Sequence, residues 1–426
     1  MSTFNTATAS SQSAVHTAVL ALVWMAIATS GFVFSEPCPT DILTIALIVL
    51  LPTIGLTRIG PALSTLMLAM SAAAGFGLVA CLFAVDLPKA LTHTVVTIFV
   101  YGATIILAGF IAAKPVAHSK LIFNALTVAA LIAAGFGVGG YFGLLPGGEL
   151  FTKYGRASGT FKDPNVFGPF LVAPLLYALH NAMERPLKQM LKPLLIAGFL
   201  ALGVFFSFSR GAWINLIAAV SIFLVLSLLT TSSKARLQKI AFLSIFGATL
   251  IGAAVFAALQ IEHVSRLVTE RASVTQNYDV GPEGRFGGQE KAIQLILDHP
   301  FGIGAAQFAL VHHHEEAHNV YLSMAMNAGW LGAMFYMVIV LSTLYIGFSR
   351  ALKPSPAQPF LIIAIATFAA NAGEGIIIDT DHWRHVYLLM AFVWGIATAR
   401  ETTMVSAHNM MRRAEDKMSM PGLVAT

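Results

Sequence analysis

The sequence predicts an all-α polytopic membrane protein, with about twelve transmembrane helices and one long helical loop on the outer side. Three observations carry this. Of the 426 residues, 57% are hydrophobic and 11% charged, with a mean hydropathy of +0.77; soluble domains carry roughly a quarter charged residues. Apolar runs long enough to cross a bilayer, about 20 residues each, recur along the whole chain. The cations also divide between alternate loops, as the positive-inside rule requires.

The runs lie at about 15–34, 41–57, 61–84, 91–113, 120–142, 165–183, 192–208, 211–231, 239–260, 319–349, 358–378 and 383–399. Residues 1–14 are polar and uncharged, without the basic region of a signal peptide, so the first span is expected to stay as a helix. With both termini on one side, that side holds 15 of the 25 cations and four of the 20 acids. One missed helix would scramble this split downstream, so it supports twelve spans with cytoplasmic termini. The expected organisation is a tail at 1–14, a single transmembrane domain at 15–400 and a cytoplasmic tail at 401–426. The basic balance reports topology and implies no nucleic-acid partner. Cys38 and Cys81 fall near the outer face; a disulfide is conceivable on that side, and two buried thiols are the expected state.

Two outer loops are long, 143–164 and 261–318. A structureless loop of the second length is uncommon in a compact domain. Glu262–Ser273 reads as a helix, and Lys291–His299 as another, with Ile293, Ile296 and Leu297 in an apolar stripe. Pro300, Gly302 and Gly304 end it. A twelve-span transporter is the alternative of another class, but such transporters have repeated halves, and no repeat is evident.

Polar residues gather on the outer side, where charge near or within a span marks function. "LFTKYGRASGTFKDPNVFG" offers Arg156 and Lys162, suited equally to interface anchoring and to substrate binding, and Asp163, which reads as a helix N-cap before Pro164. In "FFSFSRGAWI", Arg210 interrupts roughly forty apolar residues at a turn with almost no loop. A guanidinium held there can snorkel to the interface or grip phosphate oxygens in pairs. Arg266, Arg271 and Arg285 add cations in the long loop, and Glu374 is an acid in the outer third of the eleventh span. "VHHHEEAHNVYLSM" contains His314-Glu315-Glu316-Ala317-His318, an H-E-x-x-H spacing. A zinc peptidase would need helix geometry through both histidines and a third ligand, such as Glu374, Asp379 or His382. The alternative is that 312–316 is loop, while His318 with Asn319 opens the tenth span.

"GRASGTFKDPNVFG", "SFSRGAW", "HPFGIGAAQF" and "AHNVYLSMAMNAGWLG", in this order and on one side, resemble the O-antigen ligase and polymerase superfamily of bacterial membrane proteins. The resemblance implies a metal-independent, inverting glycosyltransferase of the cytoplasmic membrane, without cofactor. Its donor would be a glycan on polyprenyl diphosphate, and its acceptor a sugar hydroxyl of a glycan or lipid core. Membrane lipids would surround it. Residue by residue, it implies His318 as the base and Arg210 and Arg285 as diphosphate ligands, with Arg266 and Arg271 as rivals to Arg285. Arg156, Lys162, Asn319 and Glu374 are further candidates for substrate binding. Ligase and polymerase are not separated by these residues.

Overall fold

The computed structural model describes residues 2–272, 281 and 284–399. The helices, in order, are α1 (Ser2–Ala28), α2 (Pro39–Thr53), α3 (Pro61–Ala80), α4 (Leu87–Ala113) and α5 (Pro115–Tyr141). Then come α6 (Pro164–Phe170), α7 (Val172–Glu184), α8 (Leu191–Phe206), α9 (Arg210–Leu229) and α10 (Lys234–Leu259). The outer-loop helices α11 (Glu262–Ala272) and α12 (Arg285–Asp298) precede α13 (Val320–Ala351), α14 (Gln358–Glu374) and α15 (Arg384–Ala399).

Each expected run therefore contains helix. Among the described residues, six helices are long and apolar enough to cross a membrane: α3 with its following turn, α4, α5, α6–α7 together, α9 and α13. Residues 14–28 of α1, α2, α8 and α15 are apolar but shorter. At 15 residues, α2 extends about 22 Å at 1.5 Å per residue, less than a hydrocarbon core of about 30 Å. The α1 helix begins at Ser2, so the expected N-terminal tail continues the first span. The expected tail at 401–426 lies outside the described residues.

The long outer loop is helical as expected, but α12 starts six residues earlier than Lys291, at Arg285. The all-α expectation needs one correction. Strands β1 (Thr152–Lys153) and β2 (Arg156–Ala157) pair antiparallel in the first outer loop. Tyr154 and Gly155 take left-handed backbone between them, φ 55° and 68°, the conformation a two-residue hairpin turn demands. Cys38 and Cys81 are buried free thiols, as expected.

Two features fix the outer end of the bundle. Arg384 grips Asp41 in a fork, Nε to Oδ1 at 2.6 Å and Nη2 to Oδ2 at 2.8 Å, joining α15 to α2. The Cys38 N–H also donates to Asp41 Oδ2. Secondly, α13 breaks at Gly329, φ 68°. The "HPFGIG" turn enters the break: Trp330 N–H donates to Pro300 O, and Ile303 N–H donates to Met326 O. A Cβ on Gly329 would stand 2.6 Å from Pro300 O, so only glycine permits this approach. The first turns of α13 are thereby locked to the outer loop.

Removing one partner of a buried ion pair strands the other charge, at a cost of about 3 kcal/mol. Asp41 is 8% and Arg384 22% exposed. Asp41→Ala is expected to lower the thermal midpoint in detergent, and Asp41→Leu with Arg384→Met to recover most of the loss. Equal midpoints for Asp41→Ala and wild type would discount the clamp.

Candidate active site

The candidate residues lie at the starts of α9, α12 and α13. Asn319 caps α13, its side-chain oxygen accepting from Tyr321 N–H at 3.1 Å and Leu322 N–H at 3.3 Å. This is ordinary capping chemistry for orphan N–H groups, and it occupies the carboxamide oxygen expected to contact substrate. His318, just before it, takes left-handed backbone at φ 49°, which costs a non-glycine residue roughly 1–2 kcal/mol. Three contacts hold it there. Its N–H donates to Asp379 Oδ2 at 3.1 Å, its carbonyl accepts from Gln289 Nε2 at 3.4 Å, and its Nε2 lies 3.2 Å from Glu315 Oε2. The imidazole is partly exposed, with Nδ1 the nitrogen not engaged by Glu315.

Gln289 lies one turn after Arg285, the first residue of α12. The first turns of α12 therefore reach His318 through Gln289, and Arg285 is half-buried. Arg266 is exposed in a groove on α11 with Glu262, Ser265, Thr269 and Glu270; the side chain of Arg271 lies outside the described residues. Arg210 is the first residue of α9. The turn before it is tight: Phe208 is buried at φ 45°, and Ser209 caps α9 by accepting from Ala212 N–H at 3.3 Å.

The end of α14 joins α9 to α13. Glu374 is 6% exposed, its Oε2 accepting from Asn215 of α9 at 2.7 Å. A Cβ on Gly211 would stand 2.5 Å from Glu374 Oε1, so the carboxylate presses against the residue after Arg210. Next, Gly375 O accepts from Val320 N–H at 2.8 Å, and Tyr321 OH donates to Ala372 O. The segments that carry Arg210, Glu374, His318 and Arg285 are thus joined through Gly211, Gly375 and Gln289.

The other expected residues stand apart. Arg156 is buried, its Nε donating to Ser207 O at 2.8 Å and its Nη2 to Asn165 Oδ1 at 2.7 Å. It holds the turn that carries Arg210. Asp163 caps α6 through Asn165 N–H at 2.8 Å, as expected. Lys162 lies 3.8 Å from Glu36 at the rim of a separate cavity of about 260 Å³, with Arg384 on the same rim and Phe99 and Leu126 in its wall.

The helix needed for an H-E-x-x-H zinc site is absent: residues 313–319 are non-helical, so His314 and His318 do not share a helix face. Sequence reasoning also missed Gln289 and His93, each an isolated polar residue without a motif. Burial and the charge of Asp381 raise the Asp379 carboxyl, and burial with Asp379 raises Glu316. For Asp381, burial pushes upward, but His382 and His93 outweigh it and hold the carboxyl far below its usual range.

The fold is that of a multi-pass membrane protein in which the end of α14 joins α9 to α13 and Gln289 joins α12 to His318. Residues 195–337 match the family model described as O-antigen ligase. The match runs from α8 into α13, about a third of the chain, and is to the family that the motifs resemble. The match includes Arg210, Arg285, His318 and Asn319, and leaves out Arg156, Lys162 and Glu374. No curated protein matches the chain.

Gly211→Ala is expected to force Glu374 away and cost about 1–3 kcal/mol in local packing, read as at least a tenfold loss of glycan transfer at equal protein level. Gly198, with no atom within 4 Å of its Cβ position, is the control; equal activity of the two alanine variants would remove Glu374 from the site.

Proposed function

We propose that the chain is an O-antigen ligase-like inverting glycosyltransferase. It moves a glycan from polyprenyl diphosphate to a sugar hydroxyl on the outer side of the bacterial cytoplasmic membrane, with both termini inside. The observation that carries this reading is the run of contacts by which Gly211 meets Glu374, Gly375 meets Val320, and Gln289 meets His318, tying together the segments that carry Arg210, His318 and Arg285.

The chemistry follows from the groups available. His318 Nδ1 takes the proton of the acceptor hydroxyl, while Glu315 engages Nε2 and steadies the imidazolium. The hydroxyl oxygen bonds to the anomeric carbon as the carbon–oxygen bond to diphosphate breaks on the opposite face. The electron pair leaves with the diphosphate. Arg210 and Arg285 meet that charge, both from the first residue of a helix, where the helix dipole and unpaired N–H groups also favour anions. The donor's lipid tail lies among the apolar spans and membrane lipids, and a glycan or lipid-core hydroxyl enters from outside.

Complementation of a strain lacking surface glycan tests the reading. His318→Ala is expected to lower transfer roughly 10²–10⁴-fold, and Arg210→Ala and Arg285→Ala roughly 10²–10³-fold each, while His314→Ala stays near wild type. Full-length glycan joined to lipid core in all three site variants would sink the proposal. Short unpolymerised units in the variants would assign a polymerase of the same superfamily instead.

A further inference from the structure

A second polar cluster lies behind the first, and the transfer chemistry does not use it. His93 stands in the second turn of α4, while Asp381 and His382 belong to the segment between α14 and α15. His93 Nε2 is 3.3 Å from Asp381 Oδ2, and the rings of His93 and His382 are 4.0 Å apart. One ligand atom from each of the three residues lies within 4.8 Å of the others.

A tetrahedral ion with bonds near 2.1 Å sets its ligand atoms roughly 3.4 Å apart. His93 and Asp381 already stand at that spacing. Thr97 prepares the third ligand. Its hydroxyl has one proton, donated to His93 O at 3.2 Å, so it accepts from His382 Nε2 at 2.9 Å. The lone pair of His382 is then on Nδ1. A histidine that binds metal commonly gives its other N–H to an oxygen in this way. Two imidazoles and a carboxylate suit zinc and its neighbours better than magnesium or calcium.

We propose that His93, Asp381 and His382 bind a divalent transition-metal ion of the zinc class, with Thr97 orienting His382. The site is separate from the H-E-x-x-H stretch. The ion ties α4 to the segment that carries Asp379, and Asp379 holds the His318 N–H. Its role is to position that segment, and the transfer step itself takes place without it.

The test uses the full chain, purified in detergent through a histidine-free tag, stripped with chelator, reloaded with zinc and freed of excess. Plasma mass spectrometry is expected to count about one zinc per chain, the stoichiometry of a single closed site, with a raised thermal midpoint. His93→Ala and His382→Ala lose both effects, and His314→Ala keeps them. Thr97→Val retains all three ligands and is expected to weaken zinc binding about tenfold or more, a readout that does not depend on a ligand variant folding. Wild-type protein that holds no zinc after reloading would overturn the proposal. So would zinc bound as tightly by His93→Ala and Thr97→Val as by wild type.

Discussion

The start of α13 is stitched to the end of α14 by Val320 N–H on Gly375 O and by His318 N–H on Asp379. Orphan N–H groups at a helix start are costly near lipid, where water cannot satisfy them. Here Asn319, Gly375 and Asp379 satisfy them in turn. The seam then decides the rest of the outer face. It sets Glu374 against Gly211, it links α9 to α13 through α14, and through Gln289 it receives α12. Without it, Arg210 and His318 would sit on unrelated helices.

Strain is concentrated where that seam meets the chemistry. His318 and Phe208, just before the starts of α13 and α9, both hold left-handed backbone. Each is overdetermined by neighbours: Asp379 and Gln289 for His318, and burial of the ring for Phe208. Arg156, anchored on Ser207 O, keeps the second turn from relaxing. Such backbone persists only where the surroundings enforce it, and the reward is a fixed direction for a histidine and a guanidinium.

Much of the fold was legible because its signals are local or compositional. Apolar runs and the stop at Pro300 each need only the neighbouring residues. The Asp163 cap was legible for the same reason. Arg210 and His318 lie in motifs that occur in order along the chain, Arg285 lies between those motifs, and the family match spans all three positions. Gln289 carried no such signal: its value comes from being one helical turn after Arg285 and opposite a carbonyl 29 residues away.

By itself, the sequence determined a helical, multi-pass membrane protein and the helices of its long loop. The tertiary structure decided between loop and helix for 313–319: α13 starts only at Val320, behind its Asn319 cap, so His314 and His318 share no helix. It also set Arg156 on Ser207 O and Asn165, and brought His93 to Asp381 across the bundle. Helix periodicity and capping act within about four residues. Which helix start faces which depends on packing between segments that the chain order does not relate.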